Sequence, residues 1–255
     1  MESVIMGIEH VIAKHEEAVA AGLPNEDPMY PQAMNLSLGT PDDDDPDNPI
    51  RAAVLAAFQR PIGIYAAAGN GGPSPGTILL PASMEEVWAT GAITLDPFYI
   101  WPQSSRGPTR EGLVKPDMVF YGVNILTASA KGDADFEVKA GTSFSSPLLA
   151  AGGGLWMEAL NRAGLQTREQ KYAGIHPRAL LPLLALACRK PQDAPIAMDN
   201  AYGVGQPFGD LAGRLVSGAG AGAAGAMMEP VTQIMTFGMV ATLMSGFMRS
   251  LRAGA

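Results

Sequence analysis

The sequence predicts an α/β fold in which a mostly parallel sheet carries helices on both faces, a three-layer α/β/α arrangement. Helix and strand patterns alternate as far as Ile93, and a strand–helix–strand succession brings strands together in parallel. The apolar run 62–67 leads through Ala68 to Gly69, a pattern typical of a buried parallel strand. With 255 residues, 47% of them hydrophobic, the chain is long enough to bury a sizeable core.

Residues 1–21 are predicted to form an amphipathic helix that ends at Gly22. Its apolar residues recur at three- and four-residue spacing: Val4, Ile5, Ile8, Val11, Ile12 and Val19. Glutamates interrupt this segment and no basic stretch precedes an apolar run, so it is not typical of a signal peptide. His10 and His15 are expected on the surface of this helix.

The next elements are predicted as strands at 33–38, 62–67 and 87–93, with a helix at 50–59 between the first two. Active sites of parallel sheets gather at the carboxyl ends of the strands. Gly39, Asn70 and the turn at Ser143 are all predicted to lie at such ends.

Residues 140–150 read A-G-T-S-F-S-S-P-L-L-A, in which small residues surround Ser143. Pro147 fits the first turn of a helix, because a proline there loses no hydrogen bond. Ser143 would then stand at the N-terminus of a buried helix over 148–156, where the helix dipole favours developing negative charge. This position suits a nucleophilic serine. Alternatively, the Ser/Thr residues only form the N-cap of a core helix.

Gly141-Thr142-Ser143 followed by Phe144-Ser145-Ser146-Pro147 resembles the nucleophile motif G-T-S-x-[AS]-x-P of the subtilases, the subtilisin-like serine proteases. Four further segments resemble subtilase motifs in the family's chain order: Asn35–Gly39, Ala66–Asn70, Ser104–Pro108 and Lys115–Val119. The resemblance covers residues 35–147 most specifically and is generic over 160–215.

The resemblance implies a subtilisin-like α/β/α fold and peptide-bond hydrolysis through an acyl-enzyme. It implies that Ser143 is the nucleophile and that Asn70 is the oxyanion-hole donor. The substrate cleft is implied at two segments: Ser37, Leu38 and Gly39, and Ala67, Ala68 and Gly69. A peptide or protein substrate is implied, and no cofactor is required.

The family places its catalytic aspartate in D-[ST]-G and its histidine in H-G-[ST], and neither motif occurs here. Neither His10 nor His15 is followed by glycine, and His176 is expected to start a helix before Pro177, so none is assigned as the base. The sequence therefore predicts a domain that lacks its N-terminal strands.

Three hypotheses follow from this pattern. The chain is the C-terminal part of a serine endopeptidase whose N-terminal half is lost or lies on another chain. Alternatively, it is a non-catalytic peptide-binding module derived from a subtilase. As a third option, it is a membrane-associated structural subunit in which residues 227–252 matter most.

Composition excludes several other classes of function. A net charge of −8 and the lack of a basic cluster argue against nucleic-acid binding. Cys188, the one cysteine, lies in an apolar run and is predicted to be a buried inert thiol. The acidic segment 41–47 is predicted to be an exposed loop; binding of calcium or of basic substrate side chains remains open there.

The predicted boundaries are a partial subtilisin-like peptidase domain at 1–216, a Gly/Ala linker at 217–226 and an apolar C-terminal helix at 227–255. Residues 231–248 carry no charge, near the lower length limit for spanning a bilayer. A membrane anchor, a Met-rich partner-binding helix and an ordinary packed helix all remain open. The resemblance to a family that is largely secreted favours an extracellular or membrane-associated location.

Overall fold

The computed structural model describes residues 2–162 except 25, 26, 28, 32, 61, 96, 97 and 133, together with 185 and with 188–207 except 196. The helices are α1 (Glu2–Ala20), α2 (Pro49–Phe58) and α3 (Thr142–Arg162). The strands up to the middle of the fold are β1 (Ala33–Leu36), β2 (Thr40–Pro41), β3 (Gly63–Ala67), β4 (Leu79–Leu80) and β5 (Trp88–Ile93). They are followed by β6 (Met118–Tyr121), β7 (Ile125–Ala128), β8 (Phe136–Lys139), β9 (Cys188–Arg189) and β10 (Gln206–Pro207).

The central sheet has four parallel strands in the order β1-β3-β5-β6, which confirms the predicted parallel arrangement. Side chains of β3 alternate between two cores. Ile64 and Ala66 pack with α1 and α2, whereas Tyr65 packs with Leu149 of α3. The helices therefore cover opposite faces, and the three-layer α/β/α fold is confirmed.

The Lys115-Pro116-Asp117 motif forms a buried ion pair beneath the sheet edge. Lys115 Nζ lies 2.7 Å from Asp117 Oδ2 and donates to Val87 O at 2.6 Å, and both side chains are 1% exposed. Asp117 Oδ2 also accepts from the Ala89 N–H at 2.7 Å. These bonds tie the segment before β6 to the start of β5, so the motif has a structural role here.

Three expectations differ from the structure. His15 is buried rather than on the surface, because it lies on the same helical stripe as Ile8 and Ile12; its Nδ1 lies 2.8 Å from Pro31 O. The helix predicted to carry the nucleophile begins at Thr142, so Pro147 lies inside it and not in its first turn. Leu148 is 42% exposed whereas Leu149 is 3% exposed, so that helix is buried on one face only.

The acidic segment 41–47 is exposed in part, but Asp42 is not free in solvent. Its two carboxylate oxygens accept from Arg51 Nη2 at 2.8 and 2.9 Å. Asn48 Nδ2 donates to Asp43, and Asn48 Oδ1 caps α2 by accepting from the Ile50 N–H. The segment thus anchors the start of α2.

The predicted linker 217–226, the helix at 227–255 and His176 lie outside the described residues. No helix in the described part of the chain is long and apolar enough to cross a membrane.

Candidate active site

Ser143 is the second residue of α3 and lies opposite the segment that follows β1. Its Oγ donates to Ser37 O at 3.2 Å, and Ser37 Oγ donates back to Ser143 O at 2.8 Å. Two residues 106 positions apart in the chain thus exchange hydrogen bonds. The first N–H groups of a helix have no intrahelical acceptor, so the field at this turn favours negative charge.

Asn70 follows β3 and is held against the start of α3. Its Oδ1 accepts from the Thr142 N–H and from Thr142 Oγ1, both at 3.0 Å. Thr142 Oγ1 in turn accepts from the Gly69 N–H at 3.1 Å. With its oxygen anchored twice, the amide can present only its N–H groups to a ligand; within the described residues Nδ2 makes no hydrogen bond.

A Cβ placed on Gly141 would lie 3.5 Å from Asn70 Nδ2 and 3.8 Å from Phe144 Cδ2. The donor N–H groups of Asn70 therefore border the turn that carries Ser143. Sequence motifs identified Asn70, but the anchoring role of Thr142 depends on this folded contact and was not predicted.

The two predicted cleft segments lie on either side of Leu79. A Cβ on Gly39 would lie 2.8 Å from Leu79 Cβ, and a Cβ on Gly69 would lie 2.7 Å from Leu79 Cγ. Gly69 has φ +114°, a conformation that favours glycine. The structure thus brings together Ser37–Gly39 and Ala67–Gly69, with Leu79 between them.

The place of Leu79 between the two cleft segments was not predicted from the sequence. Its neighbours Ile78 and Leu80 are 5% and 0% exposed and belong to the core, so the residue between them must face the other way. The Leu79 N–H donates to Ala68 O at 3.0 Å, which fixes this segment against the cleft.

No histidine in the described part of the chain is placed to serve Ser143 as a base. His15 is engaged with Pro31 and packs on Tyr30, and α1 lies on the opposite face of the sheet from α3. Burial raises the pKa of Tyr65 to about 12, which keeps this phenol neutral. Among the described residues, Ser143 therefore has no histidine beside its hydroxyl group.

Among the described residues, no group of three or more His, Cys, Asp or Glu side chains is arranged to hold a metal ion. Calcium binding at 41–47 stays an open alternative to a solvated acidic loop. Cys188 is half-buried, and burial raises the pKa of its thiol to about 12, although Lys190 acts in the other direction.

The sequence model of Peptidase_S8, the subtilase family, matches residues 2–205. The chain is 30% identical to Serine protease AprX of Bacillus subtilis (strain 168) over 171 residues, which cover 59% of this chain and 37% of that protein. It is 35% identical over 123 residues to the Membrane-bound transcription factor site-1 protease of Mus musculus, covering 46% of this chain and 11% of that protein.

The solved structure of Sphericase has the same fold, with a TM-score of 0.57 and 21% identity over 79% of this chain and 62% of that one. The chain therefore spans less than two thirds of the length of each of these proteins.

Proposed function

This chain belongs to the subtilase family, and from that membership we propose that it supplies the nucleophile and the oxyanion donor of a serine endopeptidase. One observation carries the proposal: Asn70 is anchored through its oxygen to Thr142, at the start of the helix that bears Ser143. Acyl transfer needs a fixed N–H donor beside the nucleophile, whereas binding a peptide by strand addition does not. The geometry therefore favours catalysis over a purely peptide-binding role.

In the proposed reaction, Ser143 Oγ attacks the carbonyl carbon of a peptide bond as its proton passes to a general base. Asn70 Nδ2 and the Ser143 N–H stabilise the oxyanion that forms. The tetrahedral intermediate then expels the amine, which takes a proton from the base, and water hydrolyses the ester on Ser143. One such donor is worth about 3–4 kcal/mol of barrier, the size known for a subtilisin.

The substrate is proposed to be an extended peptide lying between Ser37–Gly39 and Ala67–Gly69. The Ser37 carbonyl, which accepts from Ser143 Oγ in this structure, is one acceptor for a substrate N–H. Because Leu79 lies between the two segments, a side chain entering there meets an isobutyl group. Small substrate side chains are therefore expected at this position.

We place the general base, a histidine oriented by a carboxylate, on a polypeptide segment outside the described residues. Strand β1 has β3 on one side, and no described strand pairs with its other side. A segment that pairs there would lie next to Ser37, and hence near Ser143.

The test is covalent labelling of Ser143 by a fluorophosphonate, with imidazole added in increasing concentration as a substitute for the base. Labelling that rises with imidazole and vanishes in Ser143→Ala is the expected result. Asn70→Ala should slow labelling about 100-fold. The proposal would be contradicted if the folded protein with residues 1–255 stayed unlabelled at every imidazole concentration.

An extracellular or membrane-associated location is also proposed, supported by membership of a family that is largely secreted and by the uncharged run 231–248. Expression of the full chain and of a form lacking 227–255, followed by membrane fractionation, tests it. Equal recovery of both forms in the soluble fraction would count against membrane association through 231–248.

A further inference from the structure

Ser143 has a backbone acceptor that its own helix cannot use. In an α-helix the carbonyl of residue i accepts from the N–H of residue i+4. The residue at i+4 from Ser143 is Pro147, which lies inside α3 and has no N–H. The proline ring also crowds the carbonyl four residues before it, which turns that carbonyl away from the helix.

The bond missing from the helix is replaced across the cleft. Ser37 Oγ donates to Ser143 O at 2.8 Å. Ser37 Oγ is itself held from behind, because Asn35 Nδ2 donates to it at 2.9 Å. The hydroxyl hydrogen of Ser37 is thereby directed to the carbonyl that Pro147 leaves open.

Asn35 is fixed by a second contact with the same helix. Ser146 Oγ, which is fully buried, donates to Asn35 Oδ1 at 2.7 Å. The amide of Asn35 thus uses its oxygen on α3 and its nitrogen on Ser37. A continuous series of hydrogen bonds starts at Ser146, passes through Asn35 and Ser37, and returns to Ser143.

We propose that Pro147, Ser37 and Asn35 are positioning residues that hold the nucleophile turn against the cleft strand. Pro147 leaves the Ser143 carbonyl without a helical donor, Ser37 donates to it, and Asn35 orients Ser37. This assignment rests on the proposed role of Ser143 as nucleophile. It explains why a proline stands inside a helix, where it would otherwise only destabilise.

The test uses Ser143→Cys in the full chain as a reporter that needs no general base. Cys188 is replaced by alanine in the same background, so that iodoacetamide reads only the introduced thiol. The alkylation rate against pH gives the pKa of this reporter thiol, which the helix N-terminus should hold below that of a free cysteine. Thermal unfolding is measured on every variant.

Pro147→Ala is the decisive variant, because a structural and a positioning role predict different results. Restoring an N–H at position 147 should leave the unfolding temperature unchanged or raise it, since interior proline disfavours a helix. At the same time the carbonyl of residue 143 returns to the helix and Ser37 loses its acceptor. We expect the pKa of the reporter thiol to rise toward the free value by about half a unit or more.

Asn35→Leu should shift the pKa of the reporter thiol in the same direction, and adding Ser146→Ala to it should cause little further change, because both act through one series of bonds. The matched control is Tyr202→Phe, which removes a single bond from the Ile100 N–H to a side chain away from the site. It should leave the pKa of the reporter thiol unchanged.

The inference is overturned if Pro147→Ala and Asn35→Leu leave the pKa of the reporter thiol unchanged, or if Tyr202→Phe shifts it equally. A reporter thiol that titrates like free cysteine in the otherwise unchanged chain overturns it as well. None of these readouts depends on fluorophosphonate labelling of Ser143, so failure of that labelling bears on the proposed function alone.

Discussion

Gly122, directly after β6, is the position where one methyl group should disturb the candidate site most. The Gly122 carbonyl accepts from the Gly141 N–H at 2.8 Å, so it supports the turn before Ser143. A Cβ on Gly122 would lie 2.2 Å from Ser145 Oγ and 2.7 Å from Gly141 O. Ordinary van der Waals contact begins at 3.4 Å, so α3 and its turn must move by about 1 Å in Gly122→Ala.

Overpacking of this kind costs about 1–3 kcal/mol, and the backbone oxygen of Gly141 places Gly122→Ala in the upper part of that range. A displacement of about 1 Å also costs about 100-fold in reactivity when it misplaces a nucleophile. We therefore expect a lower urea midpoint in tryptophan fluorescence and slower imidazole-dependent labelling of Ser143.

Ser145→Ala provides the rescue. Ser145 Oγ is buried and has no hydrogen-bond partner within the described residues, so its removal should cost little or raise stability. In the double variant the nearest clash is gone while the contact with Gly141 O remains, so recovery should be partial. Gly7→Ala is the matched control, because nothing lies within 4 Å of its Cβ position. A Gly122→Ala protein that unfolds and labels like the parent, or one that Ser145→Ala does not improve, would refute this reasoning.

Three further predictions concern other parts of the fold. Lys115→Met should lower the free energy of unfolding by about 3–5 kcal/mol, because it removes the cation from the buried Asp117 carboxylate. Adding Asp117→Leu should recover part of the loss in urea titrations, and a further loss would contradict this account. Leu79→Ala should change the selectivity of Ser143 labelling between two peptide phosphonates, one with a phenylalanine and one with an alanine side chain. The ratio of the phenylalanine to the alanine labelling rate should rise about tenfold or more, whereas an unchanged ratio would show that Leu79 does not border the substrate. Burial would raise the pKa of Asp42, but hydrogen bonds, including those from the Asp44 N–H and Arg51, outweigh it and hold the pKa below its usual value. The ionised Asp42 therefore contributes stability above a pH of about 4, and this contribution is lost as the pH falls through the lower pKa of the folded state. Asp42→Asn should flatten the dependence of the unfolding temperature on pH in that acid range. An equally steep dependence would contradict the lowered pKa of Asp42.

The elements of the parallel sheet could be predicted because apolar runs and glycine ends are local signals. The strand expected at 62–67 is β3, and the helix expected at 50–59 is α2. His15 was predicted on the surface because histidine is polar. Its three-residue spacing from Ile12 nevertheless places it on the buried stripe of α1.

The contacts around Ser143 could not be predicted in the same way. Ser146 and Asn35 are 111 positions apart, and their meeting depends on the register between α3 and β1. The place of Leu79 between two glycines likewise depends on the pairing of β2 with β4. Such relations appear only when several elements pack together. The roles of Ser143 and Asn70 stay predictions, although the structure brings both to the start of α3.

The position of β1 at the margin of the described sheet has a consequence for how the molecule loses function. Local openings of a protein cost less free energy where few neighbours hold the backbone. Ser37, Leu38 and Gly39 directly follow β1, so detachment of this strand would remove half of the proposed cleft and the Ser37–Ser143 bonds together. The core of β3 and β5 would stay folded during such an opening. Amide hydrogen exchange should therefore be faster at β1 than in β5. The fraction of molecules with an intact candidate site should be set by the free energy of this local opening rather than by the global free energy of unfolding.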